Sequence, residues 1–156
     1  MRRTGLAIVM AAFSVMCFAG VAIAQNAHFV GEPTCVDIGT QVQCSGKIAG
    51  LGEGPVTLEI EATGIATVEC VNPAGNVAPG QATEVESSGT FELGKPRGGQ
   101  ITFNRVTTKE PRAPDPGEVC PSRKWTANIT DVEFTTATLV VFEGGQEVLR
   151  ETIDVQ

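Results

Sequence analysis

Residues 56–70, VTLEIEATGIATVEC, alternate between oily and polar positions with a period of two. Val56, Leu58, Ile60, Ala62, Gly64, Ala66, Val68 and Cys70 fall on one side, and Thr57, Glu59, Glu61, Thr63, Thr67 and Glu69 on the other. This pattern predicts a half-buried β-strand. At roughly 3.3 Å per residue a flat strand of this length would run about 50 Å, well beyond the usual ~17–20 Å. A turn or kink between sheets is therefore expected at Gly64, where Ile65 also interrupts the polar side.

The same period recurs along the chain. In residues 40–49, Val42, Cys44, Gly46 and Ile48 oppose Gln41, Gln43, Ser45 and Lys47. Before it, Pro33 confines any strand to a sheet edge. Residues 50–55, GLGEGP, read as a turn, and residues 72–80, NPAGNVAPG, as a loop without periodicity. Residues 83–87 and 90–93 predict two short strands split by Ser88-Gly89; residues 101–107 place Ile101 and Phe103 on one face. A second long loop, 109–124, holds four prolines between Pro111 and Pro121 and cannot continue a sheet. Trp125, Ala127 and Ile129 then alternate with Thr126, Asn128 and Thr130, but Val132 and Phe134 are apolar on the opposite parity, which predicts a bulge near Asp131. Residues 138–142 and 147–155 flank Gly144-Gly145, a two-residue hairpin turn that would set Val141 opposite Val148 and Val140 opposite Leu149. No stretch after residue 24 shows helical apolar spacing. The expectation is an all-β antiparallel sandwich, Ig-like, of about seven to nine short strands.

The start of the chain has a different character. Arg2 and Arg3 precede an apolar run that closes on Ala22-Ile23-Ala24, the layout of a secretory signal peptide with the mature start at Gln25. The residues before Cys17, Ser14-Val15-Met16, do not fit a lipoprotein site, and Gly5 after the arginine pair does not fit a twin-arginine signal. No later run reaches the roughly 20 apolar residues of a membrane span. The reading is residues 1–24 as leader and 25–156 as one exported domain, monomeric and outside the cell. Without Arg2 and Arg3 the 11 basic residues fall to 9 against 18 acidic ones, a net charge of −9. That charge argues against nucleic acid and anionic membrane surfaces as partners.

Four cysteines remain beyond the leader: Cys35, Cys44, Cys70 and Cys120. An even number in an exported chain implies disulfides, in one of three connectivities. Cys35–Cys44 is favoured because the pair flanks a short turn at Gly39-Thr40, and Cys70–Cys120 because these residues sit where the two long loops begin and end. Metal ligation by the four cysteines is the rival, but their spacings contain no C-x-x-C.

The stretches CSGKIAGLG at 44–52, CVNPAGNVAPGQ at 70–81 and CPSRKWTANITDVEFTTATL at 120–139 resemble a group of small secreted bacterial proteins. The resemblance covers most of the chain after the leader. It implies export, the cysteine placement and a β-sandwich, and it implies no activity, ligand or site residue.

Candidate chemistry is sparse. His28 is the only histidine, so triads and His-based metal sites lack their central residue. Asp37, Asp115, Glu118, Asp131 and Asp154 offer oxygens to Ca²⁺, but no D-x-D-x-D-G pattern is present. Asn128-Ile129-Thr130 has the form of a glycosylation sequon on the outward side of its strand. No cofactor, metal or catalytic residue is expected. The loops at 72–81 and 109–124 are the expected binding region, carrying Asn76, Arg112, Asp115, Glu118, Arg123 and Lys124. A cluster of positive charge in and before the second loop, against an acidic remainder, would suit an extracellular protein or an anionic polysaccharide. The resulting expectation is a secreted, non-enzymatic binding module. The alternatives are a small extracellular enzyme using carboxylates and a secreted protease inhibitor.

Overall fold

The computed structural model describes residues 26–156. The signal peptide expected at residues 1–24 lies outside the described residues. The strands are β1 (His28–Phe29), β2 (Thr34–Asp37), β3 (Val42–Ala49), β4 (Val56–Val71), β5 (Val77–Pro79), β6 (Thr83–Gly94), β7 (Ile101–Thr107), β8 (Thr126–Glu143) and β9 (Gln146–Asp154), with a single helical turn, α1 (Pro116–Val119), between β7 and β8. They form two antiparallel sheets. One is centred on β3, with β7 on one side and β1 and β2 end to end on the other. In the other, β4 and β8 pair along their whole length, β9 lies outside β8, and β6 and β5 lie end to end outside β4. Pro33 falls between β1 and β2 on a sheet edge, where its missing N–H is harmless.

The expected turn at Gly64 is absent: β4 runs unbroken for 16 residues, with every even position from Val56 to Cys70 buried. Its partner does the bending. β8 has 18 residues, and its register against β4 shifts twice, leaving Thr130 and Thr135 as the extra residues of two β-bulges. The first is the irregularity expected near Asp131. Each bulge reverses side-chain parity, so Ala127, then Val132 and Phe134, then Ala137, Leu139 and Val141 all face the core although their numbers change from odd to even and back. At the second bulge the β8 backbone presses against β4. A Cβ on Gly64 would lie 2.6 Å from the Glu133 carbonyl oxygen and 2.9 Å from Phe134 Cα, so only glycine fits. Bulges bend and twist a strand pair, which lets 16 residues stay paired without a corner.

Two other expected breaks are also strand. Ser88-Gly89 does not turn the chain: β6 is continuous from Thr83 to Gly94. Gly89 serves packing, because a Cβ there would lie 2.7 Å from the Phe91 ring and 3.3 Å from Thr108 Cα. The segment after Thr135 continues β8 and is not a separate short strand. The loop after Cys70 holds β5, which pairs with the end of β4. In the last hairpin Gly144 (φ 59°) and Gly145 (φ 85°) make the expected two-residue turn. The register then shifts beyond Phe142, so Val141 lies opposite Leu149 and Val140 opposite Arg150, one position from the expected pairing.

Leu58, Ile60, Val68, Leu139 and Val141 of the larger sheet and Val42, Ile48 and Phe103 of the smaller belong to one core cluster with Cys35, Cys44 and Cys70, and the fourth half-cystine, Cys120, packs against it. Cys35 and Cys44 are directly opposed on β2 and β3, 4.1 Å apart at Cα. Main-chain and polar ties fasten the sheets along both sides. The Asp37 carboxylate accepts from Gly39 N (2.8 Å) and from Phe134 N in the bulged part of β8 (3.1 Å). Beyond β9 the chain crosses over: Gln156 N donates to Cys35 O (3.0 Å) and Asp37 N to Gln156 O (2.9 Å). On the opposite side the buried hydroxyls of Ser87 and Thr108 meet, Thr108 Oγ1 accepts from Val42 N (3.0 Å), and Lys109 N donates to Ser88 O (2.9 Å). His28 lies in β1, paired with Ala49 of β3.

Candidate functional site

The two long loops meet at one end of the sandwich. Cys70, at the end of β4, bonds to Cys120, which follows α1, with 5.7 Å between the Cα atoms. Beside the bond, Gln81 N, leaving β5, donates to Val119 O (2.8 Å), and the Val119 side chain is buried in the core. The first loop is fastened to the second by one covalent bond and one main-chain hydrogen bond, with an apolar anchor under both.

Local sequence explains the shape of the second loop. Asp115 is the N-cap of α1: its backbone is extended, its carboxylate accepts from Gly117 N (2.7 Å), and Pro116 follows at the first helical position. Cys120 N closes the turn on Pro116 O (2.9 Å). Arg123 folds across Gly117, where a Cβ would lie 2.5 Å from its Nε and 2.7 Å from its Cγ. Ser122 then makes a second small turn, its carbonyl accepting from Trp125 N (3.1 Å), which leads the chain into β8. Across the disulfide the first loop is organised by Asn72, whose Oδ1 accepts from Ala74 N and Asn76 N (both 2.9 Å).

The six residues singled out by sequence therefore have different standings. Asp115 is occupied in capping α1, and Arg123 lies against its backbone. Glu118, Arg112 and Lys124 are exposed on the same loop. Asn76 is exposed at the tip of the other loop, and no hydrogen bond or ion pair joins its side chain to the other five. None of the six makes an ion pair among the described residues. At the start of the same loop, Glu110, Pro111 and Ala113 form a concave surface with Thr40, Ala127, Asn128 and Ile129.

Other polar groups take structural positions that sequence spacing did not reveal. Glu143 is buried, and its two carboxylate oxygens accept from Gly52 N and Gly54 N, each at 3.0 Å. It pins the β3–β4 loop and also begins the Gly144-Gly145 turn, the only role its neighbours in sequence suggest. Glu32, Glu151 and Asp154 line a concave surface together with Pro33 and Gln156. Among the described residues no three His, Cys, Asp or Glu side chains gather closely enough to hold a metal ion.

The charge distribution follows the strand pairing. On the outer face of the larger sheet, Glu59, Glu61 and Glu69 of β4 lie beside Glu84 and Glu86 of β6 and Glu133 of β8. On this face Arg150 makes a bidentate pair with Glu147, Nε to Oε1 at 2.9 Å and the second nitrogen to Oε2 at 2.9 Å. That hydrogen bond holds the Glu147 carboxyl below the ordinary carboxylate range and raises the Arg150 guanidinium. Of the other lysines and arginines, Arg112, Arg123 and Lys124 lie on the loop at the disulfide-linked end, Lys47, Lys95 and Arg97 towards the other, Arg105 in the β7 bulge and Lys109 beside Ser88 of β6. Among the described residues no helix is long and apolar enough to cross a membrane. The two disulfides suit an oxidising compartment. No family model, curated protein or solved structure matches the chain.

Proposed function

We propose that the protein is an exported, monomeric, non-enzymatic binding module of Ig-like architecture that engages an extracellular partner through its disulfide-linked loop end. The observation that carries this reading is the joining of the two loops, by Cys70–Cys120 and by Gln81 N to Val119 O, beside exposed Arg112 and Lys124. Loops of fixed shape lose little entropy on binding, so their contacts convert more fully into affinity. The leader read at residues 1–24 and the oxidised cysteines support action outside the cell, as does the resemblance to small secreted bacterial proteins. The inhibitor alternative fits less well, since α1 coils the middle of a loop that would need to lie extended in a protease cleft.

Capture of partners from culture supernatant on immobilised wild-type protein and on R112A/R123A/K124A tests the proposal. The three side chains are exposed, and because Arg123 also lies across Gly117, an unchanged circular dichroism spectrum and an intact Cys70–Cys120 bond are required of the variant first. Loss of the captured partner is the expected result; a triple variant that captures it as well as wild type would overturn the assignment to this end.

A further inference from the structure

We propose a second, independent site: the strip between the free edges of β6 and β7 binds acidic polysaccharide. The two edges are tied together where Lys109 N meets Ser88 O, and between them, towards the β6–β7 turn, lies a concave surface lined by Lys47, Leu93, Lys95, Arg97, Gln100, Ile101 and Thr102. Three of these residues are cations and none is a carboxylate. Among the described residues none of the three cations is ion-paired, in a chain where acidic residues outnumber basic ones by 18 to 11. A same-sign concavity of this kind concentrates field lines on an anionic ligand.

The backbone arranges these side chains in advance. Arg97 and Gln100 face each other across Gly98 and Gly99, both with positive φ (59° and 69°), and exchange two main-chain hydrogen bonds of 2.9 and 3.2 Å. Directly paired residues put their side chains on one face, so the Arg97 guanidinium and the Gln100 amide emerge together. Lys47 and Thr102 are likewise a direct cross-strand pair of β3 and β7. Leu51 N holds the tip of the turn by donating to Gly99 O (3.1 Å).

The lining matches an acidic sugar chain. Carboxylate or sulfate groups would meet Lys47, Lys95 and Arg97, hydroxyls would meet Gln100 and Thr102, and the C–H face of a sugar ring would rest on half-buried Leu93 and Ile101. An acidic peptide adding as a strand to β7 is disfavoured. The register of β7 breaks at Arg105, the one described non-glycine residue with positive φ (52°), and a bulge there shortens the flat edge available for pairing.

The test is an NMR titration with oligogalacturonate, a sulfated heparin-type oligosaccharide and inorganic sulfate, on wild type, K47Q/K95Q/R97Q and R112A/R123A/K124A. Shift changes centred on Lys47, Arg97 and Thr102 are expected with one or both oligosaccharides, and the stronger of the two identifies carboxylate or sulfate as the recognised group. Binding should weaken at least about tenfold in K47Q/K95Q/R97Q, the product of three exposed charge contacts each worth a few-fold, and should fall with added salt. It should be unchanged in R112A/R123A/K124A, which separates this site from the loop end. Failure of both oligosaccharides to bind, equal affinity in K47Q/K95Q/R97Q, or sulfate alone binding as tightly would each overturn the proposal. So would self-association in the absence of sugar that disappears in K47Q/K95Q/R97Q, because the groove's ligand would then be the acidic face of a second copy.

Discussion

The two ends of the sandwich hold their loops by different physical means. At one end Cys70–Cys120 fastens a proline-rich loop to the end of β4, Asp115 caps the one helical turn, and Val119 is buried beneath it. At the other end glycine turns carry the chain, and the fixing element is a buried carboxylate, Glu143, accepting from Gly52 and Gly54. The covalent tie acts chiefly by restricting the unfolded chain, whereas the carboxylate satisfies amide donors that would otherwise be unpaired. The first is removed by reductant and indifferent to local packing. The second resists reductant and fails if a single side chain is lost.

This contrast orders the expected effects. Replacing both Cys70 and Cys120 by Ser opens a loop spanning 50 residues and should lower the unfolding free energy in urea by about 4 kcal/mol, with the loss at the proline-rich end. Glu143→Ala strands two amide donors at the glycine end and should cost about 2–3 kcal/mol, leaving the disulfide end ordered in heteronuclear spectra. Equal disorder at both ends in either variant would show that the ends are not separately held. Asp115→Ala removes only an N-cap and should cost about 1 kcal/mol, read as a small shift of the urea midpoint. Glu147→Gln is the smallest change. The lowered carboxyl of Glu147 contributes to stability above the ordinary carboxylate pKa, and that contribution is lost as pH falls through the lowered value. Because the pair is exposed and screened, the loss at pH 7 should move the urea midpoint less than Asp115→Ala does, and a larger drop would show the Glu147–Arg150 pair to be strongly stabilising.

Locally determined features were legible in sequence. The alternation of β4, the Cys35–Cys44 pairing across a short turn, the bulge near Asp131 and the Gly144-Gly145 hairpin each depend on residues close together in the chain. Features fixed by distant strands were not. Ser88-Gly89 has the composition of a turn, but Gly89 is required by the Phe91 ring and by Thr108. Gly64 looks like a corner of β4, but its glycine answers to the backbone of β8. Glu143 has the look of a solvated turn residue until the β3–β4 loop is folded onto it. Of the candidate site, the loops and their crosslink could be read directly, whereas the capping role of Asp115 emerged only with α1. The Lys47, Lys95 and Arg97 groove needs the β3–β7 register to bring its members together.

If the disulfide makes one platform of two loops while the far end stands independently, amide hydrogen exchange in wild type and C70S/C120S will separate the two ends. Gln81 donates to Val119 across the joined loops, and Gly52 and Gly54 donate to Glu143 at the far end. The expected result is that Gln81 loses its protection in the variant while Gly52 and Gly54 keep theirs, measured where the variant is still folded. Protection retained at Gln81, or lost at all three amides together, would contradict it.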